Sequence, residues 1–190
     1  MSKGDPVTIQ HKGKLLVLAT AATVAFLFSE EGGGDKAHEK VYADQIARGI
    51  PTACGGLTNA TSPYPVIVGE VWSREKCDDA MGYVARNEQM TLLKCVKVSI
   101  SQNTLTALTS HSHNFGVPNT CASKAVGLIN LGRLKEGCEA LARTPSGDPV
   151  WSFVWNGKYN ADGTKTMVYY ESLQKRRLRE AALCVKPDAA

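Results

Sequence analysis

The chain has 190 residues, enough for one sizeable domain or for a small domain of two lobes. Hydrophobic residues make up 43% and charged residues 21% of it, as is typical of globular proteins. The net charge of +4 is spread thinly, apart from a basic cluster at residues 175–179. Nucleic-acid binding usually needs a denser stripe of Lys and Arg, so we expect no nucleic-acid partner, whereas an anionic polymer fits.

The N-terminus has the pattern of an export signal. Residues 1–14 carry three lysines and one acid, and residues 15–28 (LLVLATAATVAFLF) carry no charge. The pattern predicts a signal-anchor helix in residues 1–28, with its N-terminus inside and residues 29–190 exported. Fourteen apolar residues are fewer than the roughly 20 of a stable transmembrane helix, so insertion is expected to be weak. Two alternatives remain: cleavage after Ala25, or an uncleaved anchor that later leaves the membrane.

The following residues predict a small sheet and then mainly helices. Residues 41–58 are rich in turns with short β-prone runs. Helical periodicity runs from a Ser73 cap to about residue 93 and returns at 102–115, 119–131, 134–142 and 171–184. Residues 144–166 are polar and Gly-rich, with Trp151 and Trp155 expected to pack the segment down. The fold class is therefore α+β, a small β-hairpin lobe and a larger helical lobe.

Six cysteines are scattered along the chain without a C-x-x-C pair. An even, dispersed set fits three disulfides in an oxidising compartment better than a metal site. The pair His111 and His113 also predicts no metal site, because residues two apart on a helix point in different directions.

Four motifs in the right order resemble one enzyme family. They are Tyr42-x-Asp44 with Gly49-x-Pro51-Thr52-x-Cys54-x-Gly56-x-Thr58; Ser73-x-x-Lys76-Cys77; Ala107-Leu108-x-Ser110-His111-x-His113-Asn114-x-Gly116; and Leu173-x-x-Arg176-Arg177-x-x-Glu180-x-x-x-Cys184. The set resembles glycoside hydrolase family 24, the phage lysozymes of the T-even type and the endolysins of lambdoid phages. This chain has Lys76 where the family has Glu, and His111 and His113 where it has Phe.

The resemblance implies a lysozyme-like fold of two lobes and a monomer without metal or cofactor. It implies hydrolysis of the β-1,4 bond between N-acetylmuramic acid and N-acetylglucosamine in peptidoglycan, causing host lysis. It also implies a signal-arrest-release route, first on the host inner membrane and then in the periplasm. Simpler family members have cysteines at the positions of Cys54, Cys77, Cys138 and Cys184. That pattern implies the pairs Cys54–Cys77 and Cys138–Cys184, which leaves Cys95–Cys121.

Cleavage of a glycosidic bond needs an acid for the leaving oxygen and a second carboxylate. The resemblance places Asp44 as the second carboxylate, with Thr52 sharing a water. The position of the acid departs from the family pattern, because the family spacing from Tyr42 falls on Asp35 rather than on a Glu. Glu31, which precedes a glycine as the family's acid does, is the first candidate, and Glu39 and Asp35 are the alternatives.

Three further residues are expected to bind the sugar chain: Tyr42, Asn114 and Arg176. The alternative function is a secreted, disulfide-linked wall-binding protein of the same fold without catalysis, which only the misplaced Asp35 supports.

Overall fold

The computed structural model describes residues 4–31, 40–45 and 49–188. The chain divides into two compact units, Met1–Lys94 and Cys95–Ala190. The first contains β1 (Val7–His11), β2 (Lys14–Leu18), α1 (Ala21–Glu30), β3 (Tyr42–Asp44), β4 (Ile50–Ala53), β5 (Leu57–Thr58) and nearly all of α2 (Arg74–Cys95). The second contains α3 (Gln102–Phe115), α4 (Val117–Cys121), α5 (Lys124–Asn130), α6 (Leu134–Glu139), β6 (Phe153–Tyr159), β7 (Lys165–Tyr169) and α7 (Glu171–Cys184). The α+β class predicted from the sequence is confirmed.

The N-terminal segment differs from the single helix expected over residues 15–28. β1 and β2 form an antiparallel hairpin through Lys12 and Gly13, whose φ angles of 47° and 82° suit a two-residue turn. The helix begins only at Ala21, where the Thr20 side chain caps it by accepting from the Thr23 N–H at 3.0 Å. Within the described ranges, no helix combines the length and the apolar character that crossing a membrane requires.

One face of α1 lies in the core of the first unit. Leu27 is fully buried and Val24 and Phe28 nearly so. They pack with buried residues of the small sheet and of α2, including Ala53, Leu57, Met81 and Ala85, and with Trp72, which precedes α2. Leu16 and Leu18 of β2 are buried as well. The apolar run that reads as an export signal is therefore part of the hydrophobic core in this structure.

The three strands β3, β4 and β5 form an antiparallel sheet in chain order, as the sequence predicts. Tyr42 pairs with Thr52 and Asp44 pairs with Ile50. The turn from β4 to β5 passes through Cys54, Gly55 and Gly56, which all have positive φ angles. Glycine adopts this region without the steric cost that a side chain adds, so the two glycines suit the turn.

Most predicted helices are confirmed, and one is not. Ser73 accepts from the Lys76 N–H at the start of α2, and Ser101 caps α3. The helix expected over 119–131 is wrong, because Ser123 starts a new helix by accepting from the Val126 N–H. The helix expected over 134–142 ends at Glu139.

The polar segment of residues 144–166 contains most of a hairpin that the sequence analysis missed. β6 and β7 pair antiparallel, with a register shift between Trp155 and Tyr159. Trp151 packs against His111 and Phe115 at ring distances of 5.0 Å, as expected of a residue that holds the segment down. Trp155 is 40% exposed and its ring contacts that of Tyr159 within the hairpin.

All three predicted disulfides are confirmed. Cα–Cα distances of 5.6, 5.8 and 5.5 Å join Cys54–Cys77, Cys95–Cys121 and Cys138–Cys184. The first ties the β4–β5 turn to α2. The third joins α6 to α7.

Candidate active site

Glu31 lies where α1 ends. It is the C-cap residue, and its N–H donates to the Leu27 carbonyl at 3.1 Å. Its half-buried side chain lies against the β4–β5 turn: a Cβ atom on Gly55 would be 3.0 Å from the Glu31 Cβ, and one on Gly56 would be 3.9 Å from Glu31 Oε2. The two glycines therefore serve the turn and also leave room for this carboxyl group.

Asp44 and Thr52 lie on adjacent strands of the sheet. Because Tyr42 opposes Thr52 and Asp44 opposes Ile50, all four side chains project from the same face. Asp44 and Thr52 are diagonal neighbours, a relation that places Cα atoms about 7–8 Å apart. Thr52 is 3% exposed and its hydroxyl donates to the Ile50 carbonyl at 3.0 Å. Its oxygen keeps lone pairs that can accept a hydrogen bond from water.

The Tyr42 phenol is affected by the carboxyl groups of both Asp44 and Glu31. Its pKa is raised above 10.0 by partial burial first, then by the negative charges of Asp44 and Glu31. The negative charges of Glu31 at the helix end and of Asp44 on the sheet thus act on one phenol. The structure brings together three of the residues that the sequence pattern singled out.

The framework under these residues is rigidly built. The Cys54–Cys77 disulfide fixes the turn that carries Gly55 and Gly56. The Arg74 guanidinium lies 4.6 Å from the centre of the Phe28 ring, three residues before Glu31. A helix end held by core packing and a turn held by a disulfide position the Glu31 carboxyl group more precisely than a loop would.

The other expected site residues, Asn114 and Arg176, belong to a polar cluster in the second unit. Arg176 is 4% exposed; its Nε donates to Glu180 Oε1 at 3.2 Å and its Nη2 to the Ser110 carbonyl at 3.1 Å. Asn114 is exposed and accepts from Arg177 at 3.0 Å. Burial raises the pKa of Glu180, while the charges of Arg177 and Arg176 act in the opposite direction.

Glu180 accepts hydrogen bonds in this cluster, a role that was not predicted from the sequence. Its carboxylate accepts from Ser110 at 2.6 Å and from Arg177 at 2.7 Å. The signal was available, since Glu180 follows Arg177 by three residues and Arg176 by four, the spacing at which helical side chains meet.

His111 shows a different environment from that of a metal ligand. It is fully buried, and its Nδ1 hydrogen bonds with Thr120 Oγ1 at 2.8 Å. Since the Thr120 hydroxyl also lies 3.2 Å from the Gly116 carbonyl, to which it donates, the imidazole carries its proton on Nδ1. Burial, with help from Arg177 and Arg176, lowers the pKa of His111 to about 3.

A cavity in the first unit lies elsewhere. Its volume is about 480 Å³, and it is lined by residues that flank the N-terminal hairpin, by α1 and by the start of α2, including Asp5, Ala21, Arg74 and Asp78. None of Glu31, Asp44 and Thr52 lines it.

A comparison with protein-family models identifies the family of this chain. The model of the phage lysozyme family matches residues 35–180, about three quarters of the chain. The chain belongs to the phage lysozyme family. It is therefore a glycoside hydrolase, a muramidase that degrades peptidoglycan.

Relatives of this phage lysozyme include a SAR-endolysin of Pseudomonas phage phiKMV. That protein is 30% identical over 171 residues, which are 90% of this chain and 91% of the relative.

Solved structures share the fold of this phage lysozyme at lower identity. The muramidase domain of SpmX from Asticaccaulis excentricus has a TM-score of 0.69 and 20% identity, with 94% of this chain and all of that chain covered. An endolysin from Escherichia coli O157:H7 phage FAHEc1 has a TM-score of 0.67 and 23% identity, with coverages of 88% and 92%. These similarities confirm the lysozyme-like fold.

The two alternative acids, Glu39 and Asp35, lie outside the described residues, as does the glycine after Glu31. Glu31 is the candidate acid whose surroundings the structure describes.

Proposed function

We propose that this phage lysozyme cleaves the β-1,4 bond between N-acetylmuramic acid and N-acetylglucosamine, with Glu31 as the acid and Asp44 with Thr52 positioning the water. One observation carries the proposal: the helix end that carries Glu31 lies against the β4–β5 turn of the sheet, and Asp44 and Thr52 share one face of that sheet. Two carboxyl groups on opposite elements are what hydrolysis of a glycosidic bond requires.

In the proposed reaction, Glu31 gives its proton to the glycosidic oxygen as the bond from that oxygen to C1 breaks. A water held by the Asp44 carboxylate and the Thr52 oxygen adds its oxygen to C1, and Asp44 takes up the released proton. Thr52 suits this role because its own proton is directed at the Ile50 carbonyl, so its oxygen is left as an acceptor for a water. Tyr42, 40% exposed beside both carboxyl groups, is placed to contact a sugar. Sugar contacts by Asn114 and Arg176 stay predictions.

The assignment of the acid is tested by activity on purified peptidoglycan. Loss of a general acid costs about 10²–10⁴-fold in rate, so Glu31→Gln should lose that much with an unchanged melting temperature. Glu30→Gln is the matched control, since it removes the adjacent carboxylate of the same helix. If Glu39→Gln is the inactive variant and Glu31→Gln remains active, the acid has been assigned to the wrong residue.

The same digestion tests which bond is cut. Cleavage as proposed leaves N-acetylmuramic acid at the new reducing ends, which borohydride reduction and mass spectrometry identify. Reducing N-acetylglucosamine would refute the bond assignment. Wall binding with no new reducing ends from the wild type would instead support the inactive alternative.

The proposed route to the substrate begins with residues 1–28 as an uncleaved anchor in the host inner membrane, followed by release into the periplasm and lysis. The short apolar run and the SAR-endolysin relative support it. The burial of Leu16, Leu18 and Leu27 supports it as well, because the same segment fits the enzyme's core. α1 ends at Glu31, so a segment held in a bilayer cannot place this carboxyl group against Gly55 and Gly56. We therefore expect the anchored enzyme to be inactive.

Leucine substitutions test release. Ala21, Ala22 and Ala25 are exposed in the structure, so replacing them with Leu deepens membrane insertion with little effect on the core. Lysis should be delayed. The control places three leucines at Ala60, Ala161 and Ala182, which are also exposed, and should leave lysis timing unchanged. A periplasmic N-terminus at Phe26 would show cleavage and contradict the release model, without affecting the muramidase assignment.

A further inference from the structure

The hairpin of β6 and β7 exposes an unusual number of aromatic side chains. All seven residues of β6 are exposed, and four of the five residues of β7. Their exposed fractions are 38% for Phe153, 40% for Trp155, 60% for Tyr159, 49% for Met167 and 44% for Tyr169. Single exposed apolar residues are normal, but a contiguous group with a polar border marks a binding surface.

The rings share one face of the hairpin, which we call the aromatic face: Phe153, Trp155, Tyr159, Lys165, Met167 and Tyr169. Phe153 opposes Tyr169 and Trp155 opposes Met167 in the register. Ring contacts confirm the arrangement, since Phe153 and Tyr169 lie 5.6 Å apart and Trp155 and Tyr159 lie 5.3 Å apart. The opposite face carries the aliphatic pair Val154 and Val168, with similar exposures of 44% and 38%.

The border and the charge of the aromatic face are suited to a polar, anionic ligand. The Lys165 ammonium lies 5.2 Å from the centre of the Trp155 ring, in the middle of the face. The Asp162 carboxylate accepts from the Thr164 N–H and hydroxyl, at 2.9 and 2.6 Å, so it is occupied within the turn. Asn156 and Asn160 also hydrogen bond within the hairpin: Asn156 Oδ1 accepts from the Lys158 N–H at 3.0 Å, and Asn160 Oδ1 accepts from the Thr166 hydroxyl at 2.9 Å.

We propose that the aromatic face binds glycan strands of peptidoglycan, an inference that rests on the proposed substrate. A pyranose ring presents C–H groups on its face, and these pack on the π-face of an aromatic ring. Residues two apart on a strand are about 7 Å apart, so Phe153 and Trp155 offer successive platforms along a chain of sugars. Lys165 matches the carboxylates of the attached peptides.

A bilayer is less well matched. The end of the hairpin that would enter it first, residues 160–164, is polar and contains Asp162. A segment that lies in the interface has one apolar and one polar face, whereas both faces of this hairpin carry apolar side chains.

Co-sedimentation with purified sacculi tests the proposal in the full-length, oxidised Glu31→Gln protein, so that binding is measured without hydrolysis. Removal of two rings by Phe153→Thr with Tyr169→Thr should weaken binding about tenfold. The matched control is Val154→Thr with Val168→Thr, the neighbouring cross-strand pair on the other face, which should bind as the parent does. Threonine keeps the strand preference in both variants, and circular dichroism shows whether each is folded.

Equal binding by the two pairs of substitutions would overturn the proposal. The proposal would also be overturned if the ring substitutions reduced binding to phosphatidylglycerol vesicles and left binding to sacculi unchanged. That result would assign the face to a membrane. A dimer in sedimentation velocity that only the ring substitutions dissociate would assign it to a second copy. Failure of the proposed function is seen separately, as the absence of new reducing ends from the wild type.

Discussion

The buried imidazole of His111 should make the protein sensitive to acid, and the size of the effect follows from the structure. The side chain is fully buried between the rings of Phe115 and Trp151, with Arg176 and Arg177 adding positive charge. Glu180 is the acidic residue of the same cluster. The pKa of His111 is lowered from 6.5 to about 3. Between these values the unfolded chain binds a proton that the folded chain does not, so stability falls as the pH falls through 6.5.

Each pH unit in this window costs about 1.4 kcal/mol, and the loss at pH 4.5 relative to the neutral range is about 2.7 kcal/mol. His111→Phe, which introduces the family's residue, should remove this part of the pH dependence. Urea unfolding of both proteins from pH 7 to pH 4.5 measures it. Thr120→Val is the control: it removes the hydrogen-bond partner without a titrating group, so its loss should be similar at every pH. Parallel stability curves for wild type and His111→Phe would refute the reasoning.

Three further predictions concern the site and the disulfides. Gly55→Ala should reduce activity at least tenfold, because the new Cβ atom meets Glu31 at 3.0 Å. Gly69→Ala is the control, since Gly69 also has a positive φ angle but has open space around it. It should cost only about 1 kcal/mol of stability and no activity. Loss of activity in both variants would attribute the effect to backbone strain alone. Replacing Cys138 and Cys184 with Ala should cost about 4.0 kcal/mol, against about 3.4 kcal/mol for Cys54 and Cys77, because their sequence separations are 46 and 23 residues. The Cys54–Cys77 variant should nevertheless lose more activity at a temperature where both are folded, since its bridge holds the turn against Glu31; equal activities would contradict that role.

Local signals in the sequence were sufficient for much of the fold. The Ser73 cap gave the start of α2 and apolar periodicity gave both ends of α3, because these features act within a few residues. The hairpin of β6 and β7 was also within reach: Asp162-Gly163 between two β-prone runs is a recognised turn signal. It was missed because its strands have no buried face, so the alternation of apolar and polar residues that marks most strands is absent.

The motif order along the chain determined the family and the three disulfides. It also placed Asp44 and Thr52 on one face of the sheet, since a tight hairpin fixes which residues share a face. Only the tertiary structure decided the conformation of residues 15–28. An uncharged apolar run satisfies a bilayer and a protein core equally well, and the choice between the two depends on partners distant in sequence. Here the Ala19 N–H donates to Gln89 Oε1 at 2.7 Å, and Leu27 packs against the sheet and α2. The position of Glu31 was decided in the same way. The end of α1 lies against the small sheet only when the core beneath it has formed, and this core includes Phe28 and the turn held by the Cys54–Cys77 disulfide.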